Sequence, residues 1–347
     1  MTRQMRPIGT RFLITSLALL AVAGCGDSSG PGEPEDRGVL LFAGVAGPSD
    51  IVWTRDGAEV VYAVAASVRA ASVAPRVERT LVGDPSISIK GVSSAADRIY
   101  FGAVVTTSPS TADAFRVSRI NPSASGPEIV TTRAWSGLDY VLVSADERFV
   151  AADGSLYDLQ ASTRINLPCT RPRGFSPDAT RLLCQNPLGP APESPFSLVS
   201  TADGSSQPVH VGPSGPFYIG HRWEGNSPQL LDYTVTNGTT RIYETDGATG
   251  AMRDVAQLDG SPTFLLLANW SPDGRTLGAW IEHGPGGKRT AELYVIHSGS
   301  APAVAANVST SFYFGPDRPV FSASGNSVAY FYYNENGGRS LYAKTGI

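Results

Sequence analysis

The feature that most constrains this chain is a turn that recurs along it. Its clearest copy reads Trp270-Ser271-Pro272-Asp273-Gly274-Arg275, followed by the apolar run TLGAW. Pro suits the first central position of a tight turn, Asp bonds nearby backbone N–H groups, and Gly accepts positive φ. An aromatic before such a turn and an apolar run after it describe a hairpin. The pattern returns as Trp53-Thr54-Arg55-Asp56-Gly57 before EVVYAVA, and as Phe175-Ser176-Pro177-Asp178-Ala179 before RLLC. It returns again as Phe321-Ser322-Ala323-Ser324-Gly325 before SVAYFYY. Weaker copies begin at Val92, Val143 and Trp223. The leading residues stand at 53, 92, 143, 175, 223, 270 and 321, with a mean spacing near 45.

Each unit also holds later strand-like segments, such as SLYDL at 155–159, TRIYET at 240–245 and AELYVI at 291–296. Four short strands in about 40–50 residues make one blade of a β-propeller. The runs after the turns are apolar on both faces, as in VVYAVA and VAYFYY. A strand covered on both sides needs no polar alternation. For 58–74 an Ala-rich helix is the rival by propensity. The segment holds the same place after its turn as six others, so strands are expected. Composition agrees: 41% hydrophobic and 17% charged residues, with 37 Gly and 26 Pro, argue against a helical bundle, a coiled coil or charged disorder. The expected fold is an all-β propeller of seven blades, with six or eight left open. The last unit stops at Ser340-Leu341-Tyr342-Ala343, one strand short, and Val39-Leu40-Leu41-Phe42 has no place in the first unit. Pairing the two would close the ring and remove bare edges.

The units resemble the TolB-type and dipeptidyl-peptidase-type β-propeller repeat, whose signature is an aromatic-Ser-Pro-Asp-Gly turn and a following apolar strand. The resemblance spans about residues 51–347. It is specific in units six, four and one, and weak in units two, three and five. TolB itself carries an α/β domain ahead of its propeller. Here a tether precedes the repeats, so the chain is read as distinct from TolB.

The first residues read as an address. Arg3, Arg6 and Arg11 precede twelve apolar residues, Phe12 to Ala23, and the run ends in Val22-Ala23-Gly24-Cys25. Twelve residues are too few for a spanning helix, which needs about 20. Small residues before Cys25 resemble the lipobox of bacterial lipoproteins. That resemblance implies a signal peptide over 1–24, lipidation at Cys25, and a flexible tether over 25–37 ahead of a propeller over 38–347. Gly26, and not Asp, after the Cys implies the outer membrane, facing the periplasm or the surface. Two or three acyl chains give durable anchoring. Gly26-Asp27-Ser28-Ser29-Gly30 matches the G-x-S-x-G pattern of serine hydrolases, but lacks the strand and helix that hold such a nucleophile.

With Cys25 lipidated, Cys169 and Cys184 remain, and outside the cytoplasm an even count favours a disulfide. The four His residues, His210, His221, His283 and His297, show no metal-ligand spacing, so no metal and no cofactor is expected. The formal net charge of -4 becomes about -7 beyond residue 25, which argues against nucleic acid as partner. His221 and Arg222 fall on an expected innermost strand and could face the central channel. Arg133, Trp135, Arg171, Arg173 and Tyr218 lie on segments leading into first strands, where a rigid scaffold holds recognition loops. Packing and solvated charge are the plain alternatives for all of them. The reading is a membrane-anchored, non-enzymatic propeller that binds an envelope protein or peptide. The alternative is an enzyme or sugar binder of lyase or lactonase type using the channel.

Overall fold

The computed structural model describes residues 36–44, 50–105, 113–123, 126–138, 140–186, 195–212, 219–259, 262–283, 289–310, 316–333 and 338–347. Among these, strands assemble into seven four-stranded antiparallel sheets. Six are consecutive in sequence and span 51–83, 87–134, 141–166, 171–208, 221–259 and 262–310. The seventh joins Val320–Phe321, Ser327–Tyr333 and Arg339–Thr345 to Val39–Gly44. The fold is a seven-bladed β-propeller. The segment 58–74 forms the strands Glu59–Val64 and Ser67–Ser72, not a helix.

The second strand of each blade explains the apolar runs. Val60 and Tyr62 of the first blade pack into a core shared with Ala329, Phe331 and Leu341 of the seventh. Their neighbours Val61 and Ala63 pack into a core shared with Ile99 and Phe101 of the second blade. Successive side chains of a strand point to opposite faces. One strand therefore feeds two blade interfaces, and neither face can be polar. The pattern repeats around the ring, with Leu182 and Leu183 divided between two cores in the same way. Trp280 faces Tyr330 of the seventh blade edge-on, with ring centroids 4.9 Å apart, whereas Ala279 and Ile281 face the fifth blade. Fourth strands are the outer edges and are mostly exposed, as in Thr163–Asn166.

The recurring turn is a hydrogen-bonded device. Ser271 is buried, donates its hydroxyl to Asp273 at 2.6 Å, and accepts the Thr276 N–H at 2.9 Å. Its backbone N–H donates to the Thr276 carbonyl at 2.7 Å. Gly274 takes φ 68°, as the turn requires. Ser176 with Asp178 and Thr54 with Asp56 repeat the arrangement. The third unit, a weak copy by sequence, is a full copy in structure: Ser144 Oγ accepts the Phe149 N–H at 2.9 Å, and Glu147 supplies the positive φ. Units two and five differ. They turn in two residues, Ala96-Asp97 and Gly225-Asn226, so Val92 and Trp223 lie within their strands.

Ring closure follows the expected pairing. Val39 opposes Ala343 and Gly44 opposes Arg339, antiparallel. Leu41 is wholly buried in the core between the seventh and first blades. Trp53 Nε1 donates to the Val320 carbonyl at 2.8 Å across the same seam. Arg37 stacks over Tyr332, 4.4 Å from the ring centroid, and its carbonyl accepts the Tyr330 hydroxyl at 2.7 Å. Cys169 and Cys184 form a disulfide, with Cα atoms 5.8 Å apart, pinning the lead-in of the fourth blade to its second strand.

Deleting residues 38–43 should lower unfolding stability by several kcal/mol or give aggregates, because pairing and packing at the seam vanish together. A denaturant melt within about 1 kcal/mol of wild type would contradict that role for the strand. Gly274→Val should cost about 1 kcal/mol or more through backbone strain alone. The added Cβ itself meets nothing nearer than Arg222 Cδ at 3.6 Å. A thermal melt of the purified variant checks it.

Candidate functional site

Polar side chains from several blades meet at one end of the central channel, where the first strands begin. The backbone there is irregular by design. First strands of the second and fourth blades carry β-bulges, between Ile89 and Gly91 and between Pro172 and Gly174. The extra residue of a bulge is re-aimed relative to its neighbours. Those residues are Lys90 and Arg173. His221, at the start of the first strand of the fifth blade, pairs with Leu230.

Glycines let these groups approach. A Cβ on Gly174 would lie 2.8 Å from His221 Nε2, so the imidazole rests on bare backbone of the neighbouring blade. A Cβ on Gly91 would lie 3.0 Å from Asp50 Oδ2. Arg173 donates through Nε to Gln185 Oε1 at 3.0 Å. Burial pushes His221 down to a pKa of about 3, and the positive charges of Arg318 and Arg173 push the same way. Arg318 leads into the seventh blade, so it acts on His221 past the sixth. Burial pushes Asp50 up to about 7, against the Val92 N–H that bonds it; Asp317 raises it further and Arg339 lowers it. Arg173 and Arg318 thus act on His221, and Asp317 and Arg339 on Asp50, while the Asp317 carboxylate accepts the Arg318 backbone N–H at 2.7 Å.

The residues singled out by sequence divide. Arg173 and His221 come together. Arg171 is exposed on the strand of Arg173, opposite Gln185. Trp135 packs between the second and third blades, and the Lys90 ammonium lies 5.4 Å from its ring centroid. Arg222 is turned away from His221 by strand alternation. Its guanidinium bonds buried Glu244 at 2.7 and 3.0 Å and lies 5.4 Å from the Trp270 ring centroid. Burial raises the Glu244 pKa against the pull of Arg222. Arg133 pairs with buried Asp153 at 3.2 Å, and Asp153 also accepts the backbone N–H groups of Ser136 and Leu138, fastening the lead-in of the third blade. Tyr218 and Cys25 lie outside the described residues. Asp50, Lys90, Gln185, Asp317, Arg318 and Arg339 were not anticipated.

On the opposite face a cleft of about 580 Å³ opens beside the turns of the third and fourth blades, lined by Arg148, Arg181, Asp146 and Asp178 among others. Its carboxylates serve their own turns. Asp178 is held down at about 2 by the Ser176 hydroxyl above all, with Thr180 and Asn226 adding to it. Among the described residues no three His, Cys, Asp or Glu side chains gather as a metal set.

No protein family and no curated protein matches this sequence. Solved structures do. The β-propeller domain of Cps50 (Swd1) from Myceliophteria thermophila is 11% identical, over 89% of this chain and 99% of that one, with a TM-score of 0.54. TolB from Acinetobacter baumannii is 13% identical, over 85% of this chain and 63% of that one, at 0.41. Oligogalacturonate lyase from Vibrio parahaemolyticus is 12% identical, over 88% and 80%, at 0.40. The likeness is one of fold.

The two perturbed groups pull stability in opposite directions with pH. For Asp50 the folded pKa, about 7, stands above its ordinary 3.8, so its contribution is complete below about 4 and is lost as pH rises through 7. For His221 the folded pKa, about 3, stands below its ordinary 6.5, so its contribution is complete above 6.5 and is lost as pH falls toward 3. Asp50→Asn should therefore raise stability by about 1–3 kcal/mol at pH about 8.5 and give no gain near pH 4. Urea midpoints at both pH values check the sign.

Proposed function

We propose that this chain is a lipid-anchored, extracytoplasmic propeller that binds a protein or peptide partner at the channel mouth without catalysing a reaction. The observation that carries the reading is the gathering of polar side chains from several blades at one end of the channel, while the blade interfaces are packed with apolar ones. First strands held on both sides by neighbouring blades are rigid mounts for recognition groups. The anchor rests on the basic start, the twelve-residue apolar run and Cys25. An outer-membrane destination rests on Gly26.

Cys25→Ser should move the protein from the detergent phase to the aqueous phase in a detergent phase separation. Retention in the detergent phase by the variant would count against lipidation. Crosslinking the full chain in envelope membranes should capture a discrete partner, and the double variant Arg173→Gln/Arg318→Gln should lose it. Capture unchanged by that variant would remove the channel mouth from the binding surface.

A further inference from the structure

The cleft beside the turns of the third and fourth blades plays no part in the proposed reading, and the strands around it show why it exists. Outer strands of the first, second, fifth and sixth blades, Val77–Gly83, Glu128–Ala134, Met252–Asp259 and Ala303–Thr310, run seven or eight residues. Those of the third and fourth, Thr163–Asn166 and Ser206–Pro208, have four and three. The cleft of about 580 Å³ opens at these short strands. Elsewhere side chains tie one turn to the next: Arg55 to Asp97 across the first and second blades, Arg98 to Glu147 across the second and third, and Asn226 to Asp178 across the fourth and fifth. Among the described residues no hydrogen bond or ion pair ties the third turn to the fourth. Apolar packing holds that seam instead. Phe149 and Ala179 share one core with Cys169 and Cys184, and the Phe149 and Phe175 rings stack with centroids 6.5 Å apart.

Much of the polar lining is already committed. Arg148 bonds Asp158 at 2.7 and 3.1 Å and lies 4.7 Å from the Phe149 ring centroid. Asp178 accepts from Ser176, Thr180 and Asn226. Two long side chains of the lining stand differently. The half-buried Arg181 guanidinium and the exposed Gln207 amide make no side-chain bond among the described residues. Register places them together. Arg181 opposes Ser200 and Gln207 opposes Leu198, on the two sides of the third strand of the fourth blade. Ser200 and Leu198 are two residues apart and share a face of the sheet, so Arg181 and Gln207 share it too. They stand two strand spacings apart, about 10 Å.

The lining discriminates among ligands. Phe149, Ala179 and Leu198 are almost wholly buried, so an apolar ligand finds little to cover. Two arginines and two aspartates balance in formal charge, so neither sign is selected. A peptide adding to a sheet edge needs outward N–H and C=O groups in a row. At the Ser206–Pro208 edge, Ser205 and Val209 bond inward to Ser200 and Phe196. Alternation then turns the backbone of Ser206 and Pro208 outward, and Pro208 has no N–H to give. A fitting ligand is neutral, both donates and accepts, and is read by side chains. Adjacent sugar hydroxyls offer two oxygens to the planar fork of Arg181, and an amide such as Gln207 gives and takes a bond at once. A ligand touching both has to span the gap between them, as a chain of sugar rings does.

We infer that this cleft is a second binding site, for a neutral oligosaccharide held by Arg181 and Gln207 across the fourth blade. It is independent of the channel mouth.

The test is an array of neutral and uronate-containing oligosaccharides, probed with the full chain in a detergent that lacks sugar headgroups. Neutral members should be retained, and calorimetric titration with the best retained one gives its affinity. Arg181→Gln should weaken that affinity roughly tenfold or more, and Gln207→Ala about threefold to tenfold. Ala202→Trp, at an exposed residue of the lining, should fill the cleft and abolish binding. Arg171→Gln, at the other end of the hairpin that carries Arg181, should leave it unchanged. Raising salt from about 50 to about 500 mM should change it little, as for an uncharged ligand. If Arg181→Gln does not fold, the variants at exposed Ala202 and Gln207 decide the matter. An array that retains no neutral member, retention confined to uronates and lost with salt, or affinity indifferent to Ala202→Trp would overturn the inference. The double variant Arg173→Gln/Arg318→Gln should still bind the sugar, whether or not it captures a protein partner. Loss of the sugar by that variant would move the ligand to the channel mouth and remove this site.

Discussion

The structure depends on strands that must be apolar on both sides. In each blade the second strand sends alternate side chains into two different interfaces. Val60 and Val61 are neighbours in sequence, yet they stabilise contacts with the seventh and second blades respectively. Each interface is worth little without the next, because the same strand is half of two cores. Full burial of a Val, Leu or Phe side chain contributes about 1.5–3 kcal/mol. A blade lifted from the ring would expose two such faces at once. Cooperativity around the ring is therefore built into the periodicity of a strand.

Rigidity at the interfaces permits irregularity at the channel. Bulges, close approaches to glycine backbone and desolvated titratable groups are all unfavourable locally. They persist where surrounding packing fixes the chain. Lys90 and Arg173 stand on bulges of strands flanked on both sides, and Asp153 ties down the loop leading to the third blade through an ion pair and backbone N–H groups. The apolar cores and the polar mouth are thus parts of one arrangement: the cores hold still what the mouth presents.

The repeat was legible because its chemistry is local. Ser271, Asp273 and Gly274 bond within six residues, and the apolar run that follows reports its own burial. The closing strand was legible from strand count, since Val39–Gly44 was surplus at one end and needed at the other. The third unit looked weak because Glu147 stands where Gly is usual, although the Ser144 hydroxyl, which holds the turn, is present. Units two and five were misaligned by their shorter turns. The channel mouth was only partly legible. Arg173 and His221 were noted for lying near first strands, but their meeting depends on two neighbouring blades and on a bulge. Asp50 and Arg318 belong to no motif, and groups that act with them, such as Asp317 on Asp50 and His221 with Arg318, stand in blades distant in sequence. Arg222 shows the converse: beside His221 in sequence, it is committed to Glu244 by alternation.

The pairing of Val39 with Ala343 has a consequence for how the molecule is made. Val39–Gly44 is made before the six consecutive blades, and its partner, Arg339–Thr345, after them. Loop closure over such a separation adds only modestly to the entropy to be overcome, since that term grows with the logarithm of length. Its effect is on timing. Six blades can form in order as their strands emerge, and the seam waits for Arg339–Thr345. A prematurely ended product has six blades, an open edge and an exposed Leu41. The ring closes only once Arg339–Thr345 has been made, and a molecule truncated before it advertises itself to whatever recognises unpaired strands.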